Sequence, residues 1–418
     1  MNEIISAYQC DDAIQLWIIQ GTQSPVCVPL SMMNRHGLIA WATGTWKSRT
    51  IQLMIEQLSS RGVATLVLDV KWDLSWLAIA GDSNERALQR SKDVGIEYKP
   101  TAFPVEMLSL SWQWAIVRST VTEIWPLLLS RLLELNDTQY SVLSLIFGVC
   151  DQRWLTLLDL HDLVSVLNRL WWEWKQYVPG MVSPATLGTI VRKVMMLQSQ
   201  WWDALFWEPS FDVVDLLRPW VINLLDVSQM QQQPMVFATL MMSMIAEIYQ
   251  TFPEAWDLKQ PKLVIIIDEA HLLFDNSSNE LQRQIISIIK LIRSKWVGIF
   301  FCTQLPDDIP AEVLSQLGCK IQHALRAFTE RDRKAIKAAV ENYPISTVYK
   351  LDSLITELGI GEAMVTCLDT NWVPTPVAHT IMRPPMSLMG IADASTLMRL
   401  KASGYLVSKY AQDRKSVV

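Results

Sequence analysis

The residues with the clearest chemical meaning lie at positions 41–48, where the chain reads W-A-T-G-T-W-K-S. This matches the pattern G-x-x-x-x-G-K-[ST], whose backbone N–H groups wrap phosphates at a helix N-terminus, except that tryptophan replaces both pattern glycines. Lys47 is placed to reach the β- and γ-phosphates of a nucleotide, and the Ser48 hydroxyl to ligate Mg²⁺. The residues predicted to contact the nucleotide are Ala42, Thr43, Gly44, Thr45, Trp46, Lys47, Ser48 and Arg49.

A second motif supplies the acidic partners of this loop. Four apolar residues, 264–267, precede Asp268 and Glu269, so a buried strand would carry Asp268 to the metal and Glu269 to an attacking water. An exposed acidic turn is the alternative interpretation, and the phosphate-binding pattern earlier in the chain argues against it. The run V-G-I-F-F-C-T-Q ends in Gln304, which can sense the γ-phosphate or the water, or simply cap a turn.

Several further polar residues are open to two interpretations. Arg326 and Arg293 are candidates for an arginine supplied across a subunit interface to stabilise transition-state charge, and each can equally be a solvated cation. A structural role is favoured for two histidines, since Glu269 already provides a base. The two histidines are His271 and His323. At the end of a predicted strand, Asp69, Lys71 and Asp73 can line the nucleotide or be solvated.

A solvated helix face is expected for the basic residues Arg331, Arg333, Lys334 and Lys337, and contact with a DNA backbone is the minority interpretation.

Tryptophan is unusually common, and glycine unusually rare. The chain has 19 Trp and 15 Gly in 418 residues, about half the usual ~7% share of glycine. Several tryptophans stand where a glycine is expected, among them Trp72 after a strand-like run and Trp202 after a helical pattern. We hypothesise that most of these tryptophans are glycine codons, UGA being assigned to glycine in some bacterial lineages. The alternative is a genuine, Trp-rich, degenerate ATPase.

Composition narrows the class of protein. An apolar content of 50% supports at least one large core, and the net charge of −6 gives no global signal for nucleic-acid binding. The N-terminal residues lack the pattern of a signal peptide, and no run of 18 apolar residues indicates a membrane span, so we expect a cytoplasmic protein without membrane contact. The six cysteines have no zinc-site spacing and are expected to be free thiols.

The order of elements predicts an α/β fold. The sequence reads strand, phosphate loop, helix and strand, then long amphipathic helices, then alternating buried strands and helices. This pattern is typical of a doubly wound, mostly parallel sheet with a helical insertion. The predicted segments are N-terminal strands at 1–36, a P-loop half of the core at 37–114, a helical insertion at 115–218, a Walker B half at 219–374 and a C-terminal arm at 375–418.

Long sequence blocks resemble the HerA-like branch of the HerA/FtsK P-loop ATPases over nearly the whole chain. They include N-R-H-G-L-I-A-W-A-T-G-T-W-K-S-R-T, D-E-A-H-L-L-F-D, L-I-R-S-K-W-V-G and Q-L-G-C-K-I-Q-H-A-L-R-A-F-T. The resemblance implies a RecA-like core, ATP and Mg²⁺ as cofactors, and a homo-oligomeric ring, usually of six, with nucleotide between subunits. The family has glycine where this chain has Trp41, Trp46, Trp72, Trp76, Trp125, Trp220 and Trp296.

The resemblance also implies a role in DNA processing, in HerA itself beside a nuclease. The 1–36 segment is too short for the N-terminal barrel through which HerA engages that nuclease, which puts the nuclease partnership in doubt. We therefore expect an oligomeric DNA translocase or helicase-like ATPase. Two alternatives are a non-hydrolysing scaffold, if Trp46 is genuine, and an ATPase acting on protein or membrane-associated cargo.

Overall fold

A computed structural model describes residues 1–41, 47–71, 74–110, 113–177, 183–199, 205–206, 208–230, 233–274, 279–326, 329–388 and 392–410. The predicted phosphate-contact residues Ala42, Thr43, Gly44, Thr45 and Trp46 lie outside the described residues, as do Trp72, Asp73, Trp201 and Trp202. Lys47, Ser48 and Arg49 are described and begin a helix.

Strands of the described residues form one 12-stranded sheet in the order β2-β1-β12-β11-β10-β3-β9-β8-β4-β7-β5-β6. The run from β10 to β6 is parallel, and the pairs from β2 to β10 are antiparallel. The bounds are β1 Ala13–Ile19, β2 Pro25–Pro29, β3 Gly37–Ala40, β4 Ala64–Asp69, β5 Val105–Ser109, β6 Ala115–Ile116, β7 Ile222–Asp226, β8 Leu263–Ile267, β9 Val297–Thr303, β10 Cys319–Gln322, β11 Glu362–Cys367 and β12 Ala378–Met382.

Helices cover both faces of this sheet. Their bounds are α1 Asn2–Ala7, α2 Lys47–Ser60, α3 Glu85–Asp93, α4 Pro126–Leu132, α5 Asp137–Gln152, α6 Leu160–Tyr177, α7 Pro184–Ser199, α8 Pro234–Thr251, α9 His271–Phe274, α10 Asn279–Ile292, α11 Ala311–Leu314, α12 Glu330–Glu341, α13 Leu351–Glu357, α14 Ala394–Ser403 and α15 Tyr405–Tyr410. Among the residues described, no helix is long and apolar enough to cross a membrane.

The central strands are apolar throughout because helices bury them on both sides. Every residue of β8 is buried, as is every residue of β4 and β9, which is the pattern of parallel strands in a doubly wound sheet. The predicted fold class is confirmed, and the helical insertion is α4 to α7, which follow β6 and precede β7 in the chain. The boundaries of the five predicted segments stay predictions.

N-terminal and C-terminal strands extend the sheet beyond the parallel core. β1 pairs with β12 in antiparallel register, with Trp17 opposite Met382, and β2 closes that edge. β12 therefore lies inside the sheet, while the α14–α15 pair packs beside β5, where Glu106 accepts the backbone N–H groups of Tyr405 and Leu406. The chain ends are joined to the core through these contacts.

Among the described residues, four tryptophans adopt the left-handed backbone conformation that favours glycine. Trp154, Trp220, Trp296 and Trp372 have φ values of 56°, 65°, 58° and 68°, which is a strained conformation for a bulky side chain. Trp154 follows the end of α5 within a Schellman motif, closed by the Leu155 N–H to the Cys150 oxygen at 2.9 Å. This finding supports the hypothesis that glycine belongs at these positions.

Two more of these tryptophans, besides Trp154, occupy defined glycine positions. Trp220 follows Pro219, and the Val221 N–H bonds the Arg218 oxygen at 3.2 Å, so Trp220 is at the third position of a Pro-initiated turn that needs positive φ. Trp296 caps the helical turn after α10 in the left-handed region. Its indole Nε1 donates to the Ala255 oxygen at 2.7 Å, a contact that glycine would lose.

Candidate nucleotide site

The site forms where four adjacent parallel strands end. β3, β9, β8 and β4 are neighbours in that order, and their registers pair Ala40 with Thr303 and Ile267 with Phe301. Residues directly after these strands therefore meet at one edge of the sheet. They include Gln304 after β9 and the Asp268–Glu269 pair after β8. Parallel α/β sheets bind ligands at this carboxyl edge.

Lys47 is buried at the start of α2 and joins both predicted carboxylates. Its Nζ forms an ion pair with Asp268 and lies 2.9 Å from Glu269 Oε1, and it stands 4.2 Å from the centre of the Trp41 ring. Burial opposes the charge of Lys47, yet the two carboxylates outweigh burial and hold its pKa above the usual value. Lys47 and the distant Asp268–Glu269 pair thus form one buried cluster of opposite charges.

The two carboxyl groups respond differently to the same lysine. Burial raises the pKa of Asp268 in spite of Lys47. For Glu269 burial also favours the neutral form, but Lys47 and then Lys71 outweigh it and lower the pKa. The environment thus favours the ionised form of Glu269, the form in which a carboxylate can accept a proton from water.

Glu269 is strained and incompletely bonded. Its φ is 48°, which costs a non-glycine residue on the order of 1–2 kcal/mol. Its Oε1 lies 3.2 Å from Lys71 Nζ, while Oε2 is buried without a hydrogen bond among the described residues, and His271 Nδ1 is 3.6 Å away. A buried oxygen without a donor is ready to accept one from a water molecule.

The turn after β4 brings Lys71 to Glu269. Asp69, at the end of β4, is buried and accepts the backbone N–H groups of Lys71 at 3.1 Å and Leu74 at 2.9 Å. Asp69 therefore shapes the turn, and Lys71 is the residue of this stretch that reaches the acidic pair. The sequence left both residues open between lining the nucleotide and ordinary solvation at the end of the strand.

The remaining residues of the predicted site lie around this cluster. Ser48 follows Lys47 in the first turn of α2 and is half-buried, the position from which a hydroxyl can reach a metal. Gln304 is exposed at the end of β9, while the preceding Thr303 donates to Asp308 Oδ2 at 2.6 Å.

Among the described residues, neither Arg326 nor Arg293 bonds to Lys47, Asp268 or Glu269. Arg326 is exposed beyond β10 and donates to the backbone oxygens of Thr356 at 2.6 Å and Leu358 at 3.3 Å, at the end of α13. Arg293 precedes β9 and so lies at the opposite edge of the sheet from Lys47. A part for either arginine in another subunit's site stays a prediction.

His323 is a structural residue that ties α2 to the sheet. It is fully buried, with Nε2 2.7 Å from Thr50 Oγ1 and Nδ1 2.8 Å from the Glu362 oxygen. Burial lowers its pKa to about 4, so the ring is neutral and shares hydrogen bonds rather than transferring protons. Sequence inspection had no local signal for Thr50, because its partner lies on a distant strand.

The oxygen ligands of this site suit a metal ion that is coordinated partly by the protein and partly by a bound substrate. In the described ranges no group of three or more His, Cys, Asp or Glu residues can hold an ion by itself. Mg²⁺ is characteristically bound by one or two carboxylates together with phosphates and water. Asp268 and Ser48 fit that role, and a metal at this place would depend on a bound polyphosphate.

The fold and this cluster define the chain as a P-loop ATPase. The sequence matches the family described as Helicase HerA-like C-terminal over residues 15–417, and the chain belongs to that family. It is 22% identical to the DNA double-strand break repair helicase HerA of Saccharolobus solfataricus over 380 residues, which are 87% of this chain and 68% of that protein. The resemblance identified from the sequence blocks is confirmed.

Solved structures of the same fold cover most of the chain. VirB4 of Thermoanaerobacter pseudethanolicus has a TM-score of 0.59 at 15% identity, covering 90% of this chain and 97% of its own. The plasmid coupling protein TrwB in complex with ADP and Mg²⁺ has a TM-score of 0.61 at 12% identity, covering 93% of this chain and 94% of its own. These neighbours confirm the RecA-like α/β architecture.

Proposed function

We propose that this ATPase is a Mg²⁺-dependent motor that works as a homo-oligomer and translocates along DNA. The observation that carries the proposal is the buried cluster of Lys47, Asp268 and Glu269 at the carboxyl edge of the sheet. In this cluster Lys47 contacts both carboxylates, and we assign phosphate binding to Lys47, metal binding to Asp268 and the role of base to Glu269. Such an arrangement serves phosphoryl transfer to water.

Each residue has a defined task when a triphosphate arrives. Lys47 exchanges its carboxylate partners for the β- and γ-phosphates, because a phosphate carries more negative charge than a carboxylate. Asp268 and the Ser48 hydroxyl would hold Mg²⁺, which neutralises charge on the phosphates when bound. Glu269, still beside Lys71, orients the attacking water and accepts its proton, and Gln304 is placed to contact the same water or the γ-phosphate.

Action on DNA rests on membership of the HerA-like helicase family and on the HerA relative, a DNA double-strand break repair helicase. The acidic net charge of −6 means that any DNA contact is local. A local contact with several phosphates still gives a steep salt dependence, since each neutralised phosphate releases counterions.

The experiment measures ATP hydrolysis with and without duplex DNA over a salt series. The protein is the full chain with Trp41→Gly and Trp46→Gly, and Lys47→Ala in that background is the inactive control. DNA should stimulate turnover, and the stimulation should fall by at least about tenfold between roughly 50 and 200 mM salt. Turnover that DNA does not stimulate would favour a different cargo, and no turnover at all would favour a non-hydrolysing scaffold.

A further inference from the structure

The side chain of Gln304 forms no hydrogen bond among the described residues, although Gln304 lies at the edge of the sheet where the acidic pair and Lys47 meet. It is exposed, and a free glutamine side chain samples several rotamers at each of its torsions. A residue that contacts one water or one phosphate oxygen works better when it is held in place. The backbone on either side of Gln304 therefore sets where its amide can reach.

Backbone hydrogen bonds join the end of β9 to both neighbouring parts of the site. The Thr303 oxygen accepts the Trp41 N–H at 3.3 Å, and Trp41 begins the phosphate-loop motif. The Cys302 oxygen accepts the Ala270 N–H at 2.8 Å, and Ala270 directly follows Glu269. The residue after Thr303 thus enters the site between the phosphate loop and the segment that carries the base.

One carboxylate oxygen of Asp308 bonds to both neighbours of Gln304. Asp308 Oδ2 accepts the Thr303 hydroxyl at 2.6 Å and the Leu305 N–H at 3.1 Å. The backbone N–H of Asp308 donates to the Leu305 oxygen at 3.1 Å and closes the short helical turn Pro306–Asp308. The two residues that flank Gln304 are therefore tied to a single atom, which restrains the peptide groups of Gln304 from both ends.

The two residues tied to Asp308 are themselves anchored. Thr303 is fully buried at the end of β9, and Leu305 packs against the buried apolar cluster that includes Leu325 and Ile355. Hydrogen bonds to a charged acceptor are stronger than those between neutral groups, so the carboxylate makes this turn rigid.

We propose that Asp308 is a positioning residue, which holds Gln304 where its amide meets the attacking water or the γ-phosphate. This inference rests on the proposed ATPase function and adds the residue that fixes its sensor. Asp308 acts through the backbone of Gln304 and does not contact the nucleotide.

The test measures steady-state ATP hydrolysis by the full chain carrying Trp41→Gly and Trp46→Gly, the parent, and by the parent with Asp308→Ala. The change should lower kcat by about 10- to 100-fold, because a small misplacement of a group at the reacting centre has an effect of this size. KM for ATP should change by less than about twofold, because Lys47 still binds the phosphates. Asp308→Asn should keep kcat within about threefold of the parent, since one amide oxygen can accept both hydrogen bonds.

The same turn supplies a matched control. Asp307 is exposed, and in the described part of the chain no hydrogen bond joins its side chain to Thr303 or Leu305. Asp307→Ala removes one carboxylate from this turn, as Asp308→Ala does, and should leave kcat unchanged. Thr303→Val, which removes a hydroxyl with little change of shape, should lower kcat in the same direction as Asp308→Ala.

A double-mutant cycle separates positioning from a general loss of structure. If Asp308 acts through Gln304, Asp308→Ala should change kcat by less than about twofold in a Gln304→Ala background, although each change alone lowers kcat strongly. A general loss of structure would instead add to the effect of Gln304→Ala and lower the urea midpoint of unfolding.

Four results would overturn the role of Asp308 while the ATPase proposal stands. They are equal kcat for Asp308→Ala and Asp307→Ala, an equal loss for Asp308→Asn and Asp308→Ala, additive effects with Gln304→Ala, and unchanged kcat in Gln304→Ala itself. A parent chain that hydrolyses ATP no faster than its Lys47→Ala variant would instead refute the ATPase proposal, and this inference with it.

Discussion

Glu269 combines three unusual properties in one residue. Its backbone is left-handed, one carboxylate oxygen is shared by two lysines, and the other is buried without a donor in the described part of the chain. Strain and unsatisfied polar groups are costly and persist where the surrounding structure enforces them. The surroundings here are two strand ends and the start of α2, which hold Glu269 in the position that the proposed mechanism requires of the base.

Glu269→Gln should bind ATP and fail to turn it over. The amide keeps the size of the side chain but cannot accept a proton from water, so kcat should fall by at least about 100-fold. ATP affinity should be kept or increased, because Lys47 loses a competing carboxylate partner. Steady-state hydrolysis and calorimetry measure the two effects, with the exposed Glu254→Gln as control. Unchanged kcat would remove Glu269 from the mechanism.

Glu247 on α8 is a carboxyl group whose charge opposes folding. Burial, together with the nearby carboxylates of Glu123 and Asp212, raises its pKa from 4.5 to about 7. A carboxyl whose pKa is raised in the folded state favours folding while it is protonated, and this contribution is lost as the pH rises from about 4.5 through 7.

Glu247→Gln should therefore stabilise the protein at alkaline pH. At pH 8 the free energy of unfolding should rise by about 1–2 kcal/mol, since the charged form is no longer buried, and at pH 4.5 it should change little. Urea titrations at the two pH values measure the difference. An equal effect at both would show that packing, rather than ionisation, accounts for it.

At the scale of elements, the sequence predicted the strands and helices that have a clear local pattern of apolar residues. The all-apolar run before Asp268, the run before Gln304 and the helical spacing after Arg49 gave β8, β9 and α2 directly. The contact of Lys71 with Glu269 and the pairing of β1 with β12 were not predicted. Both join distant parts of the chain, and no short-range periodicity specifies which strands become neighbours.

The tryptophans that stand at the defined glycine positions lie at helix ends and in a turn, not inside helices or strands. A Schellman position, a Pro-initiated turn and a left-handed helix cap all require positive φ, and Trp154, Trp220 and Trp296 occupy them. Trp17 is different, because it is fully buried in β1. Glycine would remove packing at Trp17 and relieve strain at the other three positions, so the hypothesis of glycine codons applies to the turn positions on structural grounds.

Trp154→Gly should stabilise the protein by about 1 kcal/mol, because a left-handed backbone favours glycine and the 93% exposed indole loses little packing. Trp256→Gly is the matched control, since Trp256 is 82% exposed and is not among the residues with positive φ. It should be neutral or destabilising. Denaturant titration gives both free energies of unfolding. An intact mass of the natural protein that shows glycine at position 154 would agree with a gain in stability from Trp154→Gly. A loss of stability at Trp154→Gly would contradict it.

At the scale of the whole molecule, Arg326 forms no bond to Lys47, Asp268 or Glu269 among the described residues of one subunit. Arg326 is exposed beyond β10 and bonded to the end of α13, while Lys47, Asp268 and Glu269 converge after β3 and β8. An arginine that completes the site of a neighbouring subunit has this placement in the free subunit. The prediction of a ring with shared sites therefore has a specific consequence for mixed assemblies.

Subunits carrying Arg326→Ala and subunits carrying Glu269→Gln should be inactive alone and partly active when mixed. In a mixed ring, some sites combine the intact Glu269 of an Arg326→Ala subunit with the intact Arg326 of its Glu269→Gln neighbour, so a fraction of sites is complete. Mixing Lys47→Ala with Glu269→Gln is the control, because both changes fall in the half-site of one subunit and every site stays defective. ATP turnover after co-refolding or subunit exchange measures the recovery. Equal recovery in both mixtures, or none in the first while the mixed rings form, would show that Arg326 does not act across the interface.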